Sequence, residues 1–165
     1  MAFLIAFSEE PVCYPYDDPK TPAATGSLII GTARQGFLAS LHNWSKSDYE
    51  RQWRYALGRI MRGERKSALV TEYVSPDFAS HLEWWPLYLA GDTVLVQNQL
   101  LFYDQLPAPF SLENMYEFIH ERVTVSDRGR SISEWRVDFS EVKDFFESLE
   151  TSSSKQAPNT PRTLT

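Results

Sequence analysis

The sequence predicts a single α+β domain: a mostly antiparallel, twisted sheet of about six or seven strands, one long helix packed on it, and a short C-terminal helix. Three observations predict this. Residues 47–62 carry an apolar period of a helical turn. The segments on either side are short apolar or alternating runs bounded by Gly, Pro, Asn and Asp. Ala90-Gly91-Asp92 separates two of those runs as a three-residue hairpin connection. At 165 residues the chain reads as one domain over 1–150, with a proline-rich arm at 9–25 and a flexible tail at 151–165.

Taken in order, Ala2 to Phe7 is an apolar run that reads as a strand. Residues 9–25 hold Pro11, Pro15, Pro19 and Pro22 with Asp17-Asp18, so they read as an arm with little regular structure that Tyr14 and Tyr16 could pin to the body. Gly26 to Gly31 and Gly36 to Leu41 read as strands joined at Ala33 to Gln35, with the glycines as strand-end residues. The long helix follows. Ser47 and Glu50 have the spacing of a capping box. Tyr49, Trp53, Ala56, Leu57 and Ile60 form its apolar face. Arg51, Arg54, Tyr55 and Arg62 lie opposite, and Gly63 stops it.

Ser67 to Val74 is the next strand. Leu82 to Leu89 and Thr93 to Phe102 form a hairpin, in which Pro86 calls for an edge position or a bulge. Ser111 to Tyr116 reads as a helical turn, because Ser111 and Asn114 favour local hydrogen bonds. Glu117 to Val125 and Arg130 to Val137 read as strands around Asp127-Arg128-Gly129. Asp138 and Glu141 could box the start of a helix over Ser140 to Leu149, with Val142, Phe145, Phe146 and Leu149 inward. The tail carries serines, threonines and prolines with no large apolar residue before Leu164.

Composition narrows the function classes. The aromatic fraction is 14%, so large rings dominate the packing. A net charge of −6 disfavours nonspecific nucleic-acid binding and anionic membranes. One cysteine, Cys13, excludes an intramolecular disulfide framework and points to a reducing compartment. The apolar run at Met1 to Ser8 lacks a basic flank and, at about seven residues, is too short for a signal peptide or a span. The expected location is the cytoplasm.

No catalytic motif stands out. His42, His81 and His120 are far apart with no second ligand at zinc spacing, so no metal and no cofactor is expected. No serine sits in a nucleophile elbow, and Cys13 has no motif around it. Charge is distributed unevenly. Residues 26–62 carry six basic and two acidic side chains, and residues 111–150 carry ten acidic and five basic ones. The arginine face is either a solvated surface with Glu50–Arg54 pairing or a phosphate-contacting face. The carboxylates Glu141, Asp144 and Glu147, with Glu113, Glu117 and Glu121, are either plain solubilising groups or a surface for a basic partner. In Trp84-Trp85 the two rings must point to opposite sides of a strand, one into the core and one exposed or covered.

Five strings together carry a resemblance: Ser47-Asp48-Tyr49-Glu50-Arg51-Gln52-Trp53, Ser67-Ala68-Leu69-Val70-Thr71, Trp84-Trp85-Pro86-Leu87-Tyr88, Val96-Gln97-Asn98-Gln99-Leu100 and Ile132-Ser133-Glu134-Trp135. In this order and chain size they resemble immunity proteins of bacterial contact-dependent growth inhibition systems, over about residues 26–147. The resemblance implies a non-enzymatic cytoplasmic protein whose partner is the toxic C-terminal domain of an effector, in many systems a nuclease. It carries over no binding residues. Glu141, Asp144, Glu147, Glu113, Glu117 and Glu121 are therefore the expected toxin-facing set on charge alone. The competing expectation is a nucleic-acid or regulatory binding module using Arg51, Arg54, Tyr55 and Arg62.

Overall fold

The long helix, α1 (Lys46–Met61), begins earlier than its predicted capping box, with Ser45 rather than Ser47 at the N-cap. Ser45 Oγ accepts from the Asp48 amide at 3.2 Å, and the Asp48 carboxylate accepts from the Ser45 amide at 2.9 Å. Both serines have an acid three residues on. What separates them is the residue in front: Trp44 lies 5.0 Å edge-on to Tyr49, a hydrophobic staple that Lys46 could not make for a cap at Ser47. At the other end Gly63 takes φ +88°. The Gly63 and Glu64 amides donate to the Ile60 and Arg59 carbonyls, closing a Schellman turn.

The structure, a computed structural model, describes residues 2–13 and 22–155. The predicted α+β class holds, with eight strands among the described residues divided between two antiparallel sheets. The first sheet is β1 (Ala2–Cys13), β2 (Pro22–Gly31) and β3 (Ala33–Ser40), in that order. The second runs β4 (Lys66–Glu72), β5 (His81–Ala90), β6 (Thr93–Gln97) and β8 (Glu134–Asp138), with β7 (Gln99–Phe102) pairing β5 beyond the end of β6. The chain closes with α2 (Phe139–Lys155).

Several elements differ from expectation. Residues 9–13 and 22–25 of the supposed arm are strand, because β1 and β2 continue pairing past a register shift between Phe7 and Pro11. Tyr14, Tyr16 and the rest of 14–21 lie outside the described residues, as does the tail from 156. The β2–β3 turn sits at Thr32, where Gly31 supplies φ +63°, and not at Ala33 to Gln35. Gly26 is mid-strand and not a strand-end residue. A Cβ there would stand 2.2 Å from Phe37 Cζ and 2.8 Å from the Ala6 carbonyl oxygen. The vacancy lets Phe7 and Phe37 meet edge-on at 5.9 Å, and Trp53 packs against both.

Pro86 resolves as a break, not an edge. β5 is interior to its sheet, but β6 pairs Leu87 to Ala90 and β7 pairs His81 to Trp84. Pro86 faces the gap between them, where no amide donor is required. Both tryptophans are buried: Trp84 completely, and Trp85 at 4% exposure against Trp135, with ring centroids 5.4 Å apart.

Glu117 to Val125 is not a strand, and Arg130 to Val137 is strand only from Glu134. Residues 119–123 instead cross a face of the second sheet. Their carbonyls are satisfied by side chains from three successive strands: Lys66 Nζ donates to Ile119, Tyr88 Oη to His120, and Gln97 Nε2 to Val123. A segment whose backbone is satisfied in this way has no need of a ladder. The predicted turn at Asp127 to Gly129 survives between the isolated pair Val125 and Ser131.

The cover is latched by Arg122, whose Nε and Nη2 fork onto the Glu134 carboxylate at 2.8 and 2.6 Å. That guanidinium holds the Glu134 carboxyl below its usual range. A depressed folded value means the latch contributes fully above the unfolded carboxylate range, and is lost as pH falls through the folded value. Glu134→Gln should therefore cost about 1–2 kcal/mol near neutral pH, with the difference from wild type closing as the medium is acidified. Paired thermal melts across pH test this. A difference that stays constant down to about pH 3 would show that the charge contributes nothing.

α2 is longer than predicted, 17 residues, and takes in 151–155 of the supposed tail. Glu150 is clamped by Arg54 of α1, with Nε to Oε1 at 2.5 Å and Nη2 to Oε2 at 2.9 Å. Thr151 and Ser148 bond back to helix carbonyls, so their hydroxyls are satisfied within the helix. Among the described residues Glu141 makes no hydrogen bond that would close the predicted box with Asp138, and its Oε2 is buried without a partner.

Candidate functional site

The residues of α1 that point away from the core fall into two ridges. Gly58 is approached by Phe146, and Arg54 is held by Glu150, so that ridge faces α2. Arg51, Tyr55 and Arg59 follow one another at four-residue spacing and face the turn at 111–118. There Tyr116 is wedged in place: Gln52 Nε2 donates to its hydroxyl at 3.1 Å, and the Arg59 guanidinium lies 4.4 Å from its ring centroid. Burial pushes the Tyr116 hydroxyl up to about 12. Tyr55 lies 5.5 Å from Tyr116, with half its surface exposed.

The turn itself is braced from within. The Ser111 amide donates to Asn114 Oδ1, the Asn114 amide to Ser111 Oγ, and Asn114 Nδ2 to the Pro109 carbonyl. This reciprocal pair turns Leu112 and Glu113 outward. Between the turn and α1 lies an open groove of about 480 Å³, whose walls include Trp44, Asp48, Arg51, Tyr55, Leu112 and Glu113.

The groove brings together residues that the sequence placed on separate faces, Arg51 and Tyr55 on the helix and Glu113 among the carboxylates. The other expected residues scatter. Glu117 is exposed on the 3-10 turn Met115–Phe118. Glu121 reaches Lys66 at 2.9 Å. Asp144 and Glu147 are exposed on α2, with Lys143 4.0 Å from Glu147. Glu141 is half-buried and lines a separate pocket of about 240 Å³ with Gly31, Thr93 and Arg136. Of the arginine set, Arg51 lies 3.5 Å from Asp48, Arg54 is engaged by Glu150, and Arg62 leans toward the Tyr55 ring at 5.7 Å. Arg51, Tyr55 and Arg62 remain exposed, and Arg54 is half-buried in its clamp with Glu150. Leu112 was not anticipated. Its signal was the Ser-x-x-Asn spacing, which turns the two enclosed residues to solvent.

Among the described residues no group of three or more His, Cys, Asp or Glu is placed to hold a metal, and no helix is long and apolar enough to cross a membrane. The family model of the CdiI N-terminal domain matches residues 39–145, from the end of β3 through the first turns of α2. The chain belongs to the CdiI family of immunity proteins. A curated member, immunity protein CdiI of Enterobacter cloacae subsp. cloacae, is 32% identical over 123 residues, covering 74% of this chain and 84% of its own. A chain of the solved CdiA-CT/CdiI toxin and immunity complex from Enterobacter cloacae superposes with a TM-score of 0.80 at 30% identity, covering 90% of this chain and 99% of that one. The groove lies within the matched span, since α1 and the 111–118 turn both fall between residues 39 and 145.

Proposed function

We propose that this CdiI-family chain binds the C-terminal toxin domain of its cognate CdiA effector in the cytoplasm of the producing cell, and neutralises it by occlusion, without catalysis. The observation that carries the reading is the match over nearly the whole length of a chain from a toxin and immunity complex. The toxin is a nuclease, and its basic substrate-binding surface is met here by carboxylates. Asp144 and Glu147 on α2, Glu113 and Glu117 on the 111–118 turn, and Glu121 beyond it are the exposed members of that set. Glu121 acts with its Lys66 partner, and Glu141 at the margin of α2. Their field speeds association and makes it salt-sensitive.

The test is co-expression with the toxin-domain coding region beside this gene, with growth and co-purification as readouts. Rescue of growth with a stable complex is the expected result, and toxicity without rescue would refute the reading. In the purified pair, Asp144→Lys with Glu147→Lys should slow association at low salt at least about tenfold. Association unchanged by the reversal would remove α2 from the interface.

A further inference from the structure

We infer that the groove between α1 and the 111–116 turn is the anchor point for the toxin domain, and that it takes a toxin loop presenting an apolar or aromatic side chain next to a lysine or arginine. This rests on the immunity reading above and goes further by naming where, and by what chemistry, the partner is held. Tyr55 is 53% exposed and Leu112 is 39% exposed, and they stand on opposite walls of one concavity. Large apolar groups facing each other across a groove are covered most favourably by a side chain inserted between them.

The walls are already shaped for an occupant. Tyr55 is braced by Tyr116 and by the Arg62 guanidinium, and Leu112 rides on the Ser111–Asn114 turn. The Tyr55 ring and the backbone that carries Leu112 are therefore fixed before docking, which lowers its entropic cost. Charge then selects the neighbour of the inserted group. The walls carry Asp48 and Glu113 against Arg51, and Arg51 lies against Asp48. Among the described residues Glu113 has no ion-pair partner, so a carboxylate at the rim faces outward for a cation to meet. The Glu113 carboxylate at the rim disfavours a nucleic-acid backbone there, which separates this occupant from a phosphate-bearing one.

The experiment is direct binding between the full chain and the toxin domain encoded beside it, comparing wild type with Tyr55→Ala/Leu112→Ser and with Glu113→Lys. All three positions are at the surface, and melting temperatures close to wild type confirm folding. Leu100→Ser, another exposed leucine on β7, is the control for loss of any surface apolar group. The double variant is expected to bind at least about thirtyfold more weakly, mainly through faster dissociation. Glu113→Lys is expected to slow association and flatten its salt dependence. Wild type that binds the toxin, with a double variant within twofold of it, would overturn the groove while leaving the immunity reading standing. Wild type that fails to bind the toxin would overturn both. A wild-type dimer that the double variant converts to monomer, with toxin binding intact, would assign the groove to self-association and overturn the proposal.

Discussion

Trp53→Ala is expected to remove about 3–5 kcal/mol of stability, a large part of the 5–15 kcal/mol typical of a domain this size. The indole is 2% exposed and stands where three strands meet its own helix. Phe7 of β1 lies 4.8 Å from it, Phe37 of β3 5.8 Å, and Tyr49 of its own helix 6.4 Å. Its Nε1 donates to the Val70 carbonyl of β4 at 2.6 Å. Truncation therefore opens a cavity between the two sheets and orphans a strand carbonyl together. Trp53→Phe helps separate the two effects, since it keeps a ring in most of the cavity while losing the hydrogen bond, and should cost less than alanine, about 1–3 kcal/mol. Urea unfolding monitored by far-UV circular dichroism measures both. A Trp53→Ala midpoint close to wild type would mean that the sheets hold together without the helix between them.

The apolar faces were legible because they depend on local period alone. Tyr49, Trp53, Ala56, Leu57 and Ile60 on α1, and the completely buried Val142 on α2, stand where a helical repeat puts them. The hairpin around Gly91 was legible from turn chemistry, and that glycine takes the left-handed φ of +62°. Elements whose backbone is satisfied from a distance were not legible. Nothing near residue 120 in sequence announces that Lys66, Tyr88 and Gln97 will bond its carbonyls. The same holds for the candidate site. Arg51 and Tyr55 lie about sixty residues from Glu113 in sequence, and only the packing of Tyr116 against Gln52 and Arg59 brings them together.

The strings that carried the resemblance also acquire a physical meaning. They meet in two places. In one, Gln52 and Trp53 bond the backbone of Ala68 and Val70. In the other, Gln97 bonds Glu134, and Trp85 lies on Trp135. Both are buried joints of the frame. The residues that made the family recognisable are therefore those that build the fold, and the groove and the α2 carboxylates, which would choose a partner, belong to none of the five strings beyond Asp48, Arg51 and Gln52. A resemblance of this kind identifies the scaffold and leaves specificity to exposed side chains such as Tyr55, Leu112 and Glu113.

Gln52→Ala is the second change with a large expected effect, about 2–4 kcal/mol, although it removes no apolar bulk. β4 is an edge strand, and an edge leaves amides and carbonyls with no strand to pair. α1 supplies the missing partners with side chains. The Gln52 amide donates to the Ala68 carbonyl at 2.8 Å and accepts from the Val70 amide at 2.8 Å, as a neighbouring strand would. Trp53 takes the Val70 carbonyl, Arg59 the Lys66 carbonyl, and the Tyr49 hydroxyl accepts from the Tyr73 amide. Alanine at 52 leaves a donor and an acceptor of β4 unpaired in a buried site and frees the Tyr116 hydroxyl as well. Gln52→Glu discriminates the cause, since a carboxylate can still accept from Val70 but has no donor for Ala68, and burying its charge adds a further cost. It should be at least as damaging as alanine, although glutamate is nearly the same shape. Urea unfolding of both variants beside wild type measures the loss. A Gln52→Glu variant as stable as wild type would show that the edge is not held through that amide, and the role of α1 would shrink to its apolar face.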